Sequence, residues 1–198
     1  ASASKSKGQG DGADLVHTNT TVSAGQAIRL SSGGDTTLAG ATLTAPKVSA
    51  DIGGNLTVQS LQDQSSYHSN SASMGGSVTV GSAPSASASL SKTRVDSDFQ
   101  SVGTQSGIRA GDGGFQVNVK GDTTLVGGAI TSTQAAIDNN KNSFNTGGTL
   151  TTTDLQNKAE FSAQSVGVSV GTSGGSAGIG SMGSNASSTT TAAISGIA

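Results

Sequence analysis

The chain has 198 residues, 12 acidic and 10 basic, with a formal net charge of −2 and no cysteine. Hydrophobic residues make up 32%, aromatics 3% and charged residues 11%, while glycine contributes 30 residues. This composition excludes a core of large aromatic side chains, disulfides and thiolate metal sites, and its scattered cations leave no stripe to neutralise nucleic-acid phosphates.

No apolar run approaches the ~18 residues of a transmembrane helix. There is no signal-peptide pattern, and the opening ASASKSKGQG reads as a cut within something larger. Residues 1–19 are expected to be the end of a preceding hairpin, because Ala1-Ser-Ala-Ser4 and Ser6-Lys7 echo Ala86-Ser-Ala-Ser89 and Ser91-Lys92.

Residues 20–63 carry short alternating pairs: Ile28 and Leu30, Leu43 and Ala45, Val48 and Ala50, Leu56 and Val58. A period of two puts one set of side chains on one face of a strand. Gly33-Gly34-Asp35 recurs as Gly53-Gly54-Asn55, 20 residues on (53 minus 33). Short strands punctuated by glycine at a fixed period predict two stacked coils of a parallel β-helix, with the glycine corners supplying positive φ. The chemistry then changes. From Tyr67 to Asp98, within residues 64–104, longer alternating segments such as SVTVGSAPSASASLS predict an antiparallel hairpin extension turning at Gly81 to Ser85.

Residues 105–157 repeat the coils. Gly34-Asp-Thr-Thr-Leu38 returns as Gly121-Asp-Thr-Thr-Leu125, offset by 87, which sets Ile28 against Phe115, Leu30 against Val117 and Leu43 against Ile130. Gly53-Gly-Asn-Leu-Thr57 returns as Gly147-Gly-Thr-Leu-Thr151, offset by 94. The difference of seven is assigned to an insertion around Asp138 to Asn142, a polar stretch suited to a surface loop. The one segment with any helical period is Thr133 to Asn139. Residues 158–198 form a second hairpin extension turning at Gly171 to Gly175, with a low-complexity end that also fits disorder. The expected class is all-β, a parallel β-helix with antiparallel hairpin extensions. Its expected core is Ile28, Leu30, Leu38, Leu43, Val48, Leu56, Val58, Phe115, Val117, Leu125, Ile130 and Leu150.

Little in the chain points to chemistry. His17 and His68 lie at no metal-ligand spacing with an acid. Gly10-Asp-Gly-Ala-Asp14 and Gly111-Asp-Gly-Gly-Phe115 resemble calcium-holding turns, but those need tandem copies, so both read as tight turns. Glu160 is the only glutamate, Asp96 and Asp98 read as a solvated hairpin edge, and no G-x-S-x-G elbow occurs. Asn19, Asn55 and Asn185 match the glycosylation pattern in a composition where it arises by chance. No catalytic, cofactor or metal residue is assigned, and the chain is read as a non-enzyme. A threonine-ladder ice-binding solenoid would need its T-x-T column in every coil, and Thr151 with Thr153 stand almost alone.

The hairpins carry the sharper expectation. Strands of about 9–11 alternating residues can cross a bilayer when one face is apolar. Val78 and Val80, then Val166, Val168 and Val170, supply such a face. The alternative is a permanent side sheet shielding the coils. Exposed coil ends are expected to pair end to end with further copies.

The blocks GGNLTVQSLQD, QSGIRAGDGGFQVNVKGDTTLVGGAI and LQNKAEFSAQSVGVSVG carry a family likeness across Asp14 to Val170. They resemble the haemagglutinin-repeat region of two-partner-secretion exoproteins of the filamentous haemagglutinin family. Within it they are most like the CdiA-type effectors of contact-dependent growth inhibition. The resemblance implies a right-handed β-helix secreted to the bacterial surface through an outer-membrane transporter partner. It also implies a segment that helps a C-terminal toxin cross the target cell's outer membrane. The other reading is the stalk of a haemagglutinin-type adhesin that binds host cells.

Overall fold

The structure is a computed structural model and describes residues 1–197. In chain order its elements are β1 (Ser2–Leu15), β2 (Thr20–Ser23), β3 (Ala27–Ser32), β4 (Thr36–Ala39), β5 (Ala41–Ile52), β6 (Leu56–Gln59), β7 (Gln62–Thr79), β8 (Ser85–Val102), β9 (Gly107–Val119), β10 (Thr123–Val126), β11 (Ala129–Thr131), α1 (Gln134–Asp138), β12 (Ser143–Thr146), β13 (Leu150–Thr153), β14 (Leu155–Gly171), β15 (Gly174–Thr190) and β16 (Ala193–Ile194). The fold is all-β, and the chain divides into two compact units. The first unit comprises Ala1–Leu15, Gln64–Gln100 and Lys158–Ser187; the second comprises Val16–Asp63, Ser101–Asn157 and the residues from Ser188 on.

In the second unit short strands stack in parallel, each on its counterpart one coil away. One sheet pairs β2 and β3 with β5, β5 with β9, β9 with β11 and β12, and β11 with β16. The other runs β4, β6, β10, β13. In-register stacking with a side-chain period of two turns each inward position into a column. Leu43, Ile108 and Ile130 form one such column. Val48 and Phe115 form a second, Ala50 and Val117 a third, and Val58 and Leu125 a fourth. All of these side chains are buried.

Burial follows a residue's place in the stack as well as its type. Ile28, Leu30 and Leu38 extend the columns on β3 and β4, at one edge of the sheets, and are only partly buried. Leu150 corrects the expected core. It continues the column of Leu56 and Thr123, which are 1% and 0% exposed, yet is itself 44% exposed. The reason is position: β13 is an edge strand, with β10 on one side and no strand on the other among the described residues.

The Gly-Gly corners also have a different cause from the one expected. Gly33, Gly34, Gly53, Gly54, Gly121, Gly147 and Gly148 do not have positive φ; the left-handed corner glycines are Gly40 and Gly127, at φ 58° and 56°. What the first set provides is room. Asp35 Oδ1 accepts the N–H of Asn55 at 2.7 Å, Asn55 Oδ1 accepts that of Asp122 at 2.8 Å, and Asp122 Oδ1 accepts that of Thr149 at 2.7 Å. Each carboxylate or amide therefore reaches over the corner of the adjacent coil. A Cβ at Gly54, Gly121 or Gly148 would collide with Asp35, Asn55 or Asp122 respectively. The glycine before each step of this ladder is a steric vacancy for the side chain beneath it.

The insertion lies in one coil. From Thr123 to its register partner Leu150 is 27 residues, against 20 from Thr36 to Leu56. The longer coil carries α1 between β11 and β12. Thr133 caps α1, accepting the N–H of Ala136 and donating its hydroxyl to Asp112 Oδ1 at 2.7 Å. Asn142 closes the insertion, accepting the Phe115 N–H and donating to Gly196 O. Gly111-Asp112-Gly113 forms a bulge in β9, where the register against β5 shifts between Ala45 and Lys47. Gly10 to Asp14 is not a turn at all. It runs within β1, with Asp11 directly opposite His68.

The first unit is a single five-stranded sheet in the order β1-β7-β8-β14-β15. The β1–β7 and β8–β14 pairs are antiparallel over 14 residue pairs each. β7 turns into β8 across residues 80–84, and β14 into β15 at Thr172-Ser173. No residue of this unit is buried.

Candidate functional site

The two faces of the five-stranded sheet differ in chemistry. Register sets Ala3 opposite Gly76, Lys5 opposite Met74 and Lys7 opposite Ala72. It also sets Ala88 opposite Val170, Leu90 opposite Val168 and Lys92 opposite Val166. Hydroxyl contacts between Ser73 and Ser91 (2.7 Å) and between Ser77 and Ser87 (2.9 Å) align β7 with β8. A third, Ser169 to Ser176 at 2.8 Å, aligns β14 with β15. Those serines all lie on one face, which is built mainly from serine and glycine near the hairpin turns. Near the turns the other face carries the larger side chains, because neighbouring residues of a strand point to opposite sides; farther along the strands Tyr67, Phe99 and Phe161 return to the serine face.

That second face is ordered along the strands. Nearest the hairpin turns are Ala3, Val78, Met74, Leu90, Val168 and Val170, and an apolar groove of about 650 Å³ runs over Met74, Leu90, Val168 and Val170. Lys5 lies within this zone beside Met74; next come Lys7, Lys92 and Arg94, followed by Asp11, His68, Asp96, Asp98 and Glu160. Arg94 Nε donates to Asp96 Oδ2 at 2.7 Å, and His68 Nδ1 lies 2.9 Å from Asp96 Oδ1. The Arg94 hydrogen bond first, and the His68 contact second, hold the Asp96 carboxyl below its ordinary pKa. Asp98 and Glu160 face each other across β8 and β14, and Lys158 Nζ lies 3.4 Å from Glu160 Oε2.

Val78, Val166, Val168 and Val170 share this face and are all exposed. Val80 lies beyond the end of β7 in the hairpin turn, 88% exposed. Sequence reasoning passed over Met74, Leu90 and Ile179. The alternation was visible in SASASLSK, but only pairing with β7 and β14 shows that Leu90 and the valines share a face. His17, in the coil unit, donates its backbone N–H to Asp63 Oδ1 at 2.7 Å. The two histidines thus pair with separate single carboxylates, which gives neither a nucleophile relay nor a ligand set. The chemistry of this surface is that of contact: an apolar zone bounded by cations, on strands long enough to span tens of ångströms.

Stacked glycine-cornered coils that carry hairpins define a class, the haemagglutinin-repeat exoproteins, whose repeats are β-helical. Comparison with known proteins agrees. Residues 1–75 match the family described as the hemagglutinin repeat. Toxin CdiA of Escherichia coli is 45% identical over 174 residues, 86% of this chain and 5% of that protein. A tRNA nuclease CdiA of Yersinia mollaretii is 43% identical over 164 residues, 81% of this chain and 5% of its own length. A deoxyribonuclease CdiA of Yersinia pseudotuberculosis is 41% identical over 177 residues, 88% of this chain and 16% of its own. Residues 1–75 thus carry a hemagglutinin repeat, and over most of its length the chain is similar to a segment of CdiA proteins. Such proteins are secreted and displayed at the cell surface. The chain spans only about a twentieth of most of these relatives. No solved structure matches it.

Proposed function

We propose that this chain is a non-catalytic segment of a surface-displayed exoprotein that supports delivery of a C-terminal toxin into a neighbouring cell. In this reading the coil unit is a right-handed parallel β-helix exported through an outer-membrane transporter partner. Stacking coil on coil as the chain emerges would oppose its return. The nuclease activities named for the relatives belong to other parts of those proteins.

One observation supports the membrane part of this reading: the ordered face of the five-stranded sheet. Its apolar zone alternates with serine and glycine, the pattern of a strand with one face in lipid and one away from it. The band of Lys7, Lys92 and Arg94 follows where the apolar zone ends, at a depth suited to anionic headgroups, while Lys5 lies beside Met74 at the sheet edge within the zone. Long lysine stems keep their charge in water while their methylenes lie along apolar surface. We read this zone as the part that engages the target outer membrane. Because lipid cannot satisfy open strand edges, insertion requires the sheet edges to be paired.

The test is dye release from vesicles of outer-membrane lipid, with protease protection of the hairpins. The chain should release dye, protect Val166 to Val170 from cleavage, and lose both effects in the Val168→Asp, Leu90→Asp double variant. Absence of release and protection in the unaltered chain, or full release by the double variant, contradicts the reading.

A further inference from the structure

We propose that the serine and glycine face of the five-stranded sheet is an interface for a second copy of this chain, packed face to face and turned end for end. The inference is independent of the membrane reading, which concerns the opposite face.

Alternation sets which residues this face holds. It takes every second residue from Ser2 to Asp14 on β1, Ser65 to Ser77 on β7, Ser87 to Phe99 on β8 and Ala159 to Gly171 on β14. Among the described residues of the unit, Asp14 is the one charged side chain on it, and the Ser65 hydroxyl donates to that carboxylate. All the lysines, Arg94 and the other acids of the unit point to the opposite side. Covering the serine face therefore dehydrates almost no charge, the step that costs most when a surface is buried. Its hydroxyls are also partly provided for: Ser73 bonds Ser91, Ser77 bonds Ser87 and Ser169 bonds Ser176. Those pairs keep their hydrogen bonds when water leaves, and they offer a polar ligand little that is free.

The face is tapered. Toward the hairpin turns, from Ser71 to Ser77, Ser87 to Thr93 and Ser165 to Gly171, it holds only serine, glycine and threonine. Away from the turns it carries Tyr67, Phe99 and Phe161, all exposed. A two-fold axis across the strands, through the row of Ser71, Thr93 and Ser165, lays the thick half of each copy on the thin half of the other. Four residues either side of that row, Tyr67 then meets the partner's Gly75 and Phe161 the partner's Ser169. An axis along the strands would instead set aromatic row on aromatic row and hold the thin halves apart. The end-for-end pairing is self-complementary, as a closed two-fold dimer requires. Five strands about 4.8 Å apart and 14 residues at about 3.4 Å each make a face of roughly 1,000 Å². A standard stable interface needs about 800 Å² per partner.

The test is sedimentation of the full chain over a range of concentrations, with lysine placed on one face or the other. A side chain at Gly167 or Gly178 meets nothing within 4 Å in its own chain, so Gly167→Lys and Gly178→Lys charge the serine face without a clash. The parent should form a dimer, and each of these variants should sediment as a monomer. Val168→Lys, one residue along on the opposite face, should still dimerise. A parent that stays monomeric up to millimolar concentration would overturn the proposal, as would dimers that survive both glycine substitutions. So would dimers lost in Val168→Lys and kept in Gly167→Lys, which would assign pairing to the apolar face. Orientation is read by a short bismaleimide in a background without cysteine. Chains with Ser97→Cys should link to chains with Ser89→Cys, and Ser97→Cys alone should not link, its copies lying about 27 Å apart along the strands. Linking of Ser97→Cys chains to each other would contradict the end-for-end arrangement.

Discussion

Leu56 and Val168 occupy strands of the same alternating kind, yet one is 1% exposed and the other 43%. Away from its edge strands the coil unit places apolar side chains in columns with covers above and below, so residues as small as Ala50 and Val58 are fully buried. The five-stranded sheet makes ladders just as regular with no buried residue. Hydrogen bonding across strands is therefore common to both units, and apolar burial separates them. Since burial supplies most of the net stabilisation, stability should reside in the coils, leaving the sheet free to expose its apolar zone.

The sharpest way to break this contrast is a charge in each unit. Leu56→Asp should cost several kcal/mol and unravel the coils, because the carboxylate gains no partner among stacked aliphatics. Val168→Asp should leave the thermal melt unchanged; equal losses would erase the distinction. Truncation resolves it further within the coils. Leu56→Ala should cost about 2–5 kcal/mol in chemical denaturation, and Leu150→Ala, in the same column at an uncovered edge, about 1 kcal/mol or less.

A third pair tests the ladder at the corners. Gly54→Ala should cost about 1–3 kcal/mol because its methyl meets Asp35. Gly178→Ala, where nothing lies within 4 Å, should not lower stability. Similar melts for the two would remove the steric account. The smallest effect concerns pH. The pairing of Asp96 with Arg94 and His68 lowers the Asp96 pKa, so its contribution is present above the unfolded carboxyl value. It is lost as pH falls through the lower folded value. Amide exchange near Asp96 should thus differ between the parent and Asp96→Asn at neutral pH and converge in acid. A difference that persists in acid would contradict this.

Much of the coil architecture was legible because a stacked repeat writes its register into the sequence. The 20-residue step and the offset of 87 reappear as the Thr36–Leu56 pairing and as the single column of Ile28, Val48 and Phe115. Less legible was anything that depends on a neighbour in the stack. Leu150 has an inward residue's identity and lacks a covering strand. Gly54 shows no sign in its own sequence context that Asp35 fills the space beside it. In the sheet, Val166, Val168 and Val170 were evident from alternation, but Met74 and Leu90 join them only through pairing across β7, β8 and β14. The segregation of apolar, cationic and acidic rows depends on that same pairing.

The central claim, that buried columns hold the coils while the sheet stands on ladders alone, is tested most directly by residue-resolved hydrogen exchange on the intact chain. Amides of Val48, Val58, Phe115 and Leu125 should exchange only by global unfolding. Those of Met74, Leu90 and Val168 should exchange faster, through local opening. Protection at Leu90 and Val168 equal to that at Val58 would contradict the account.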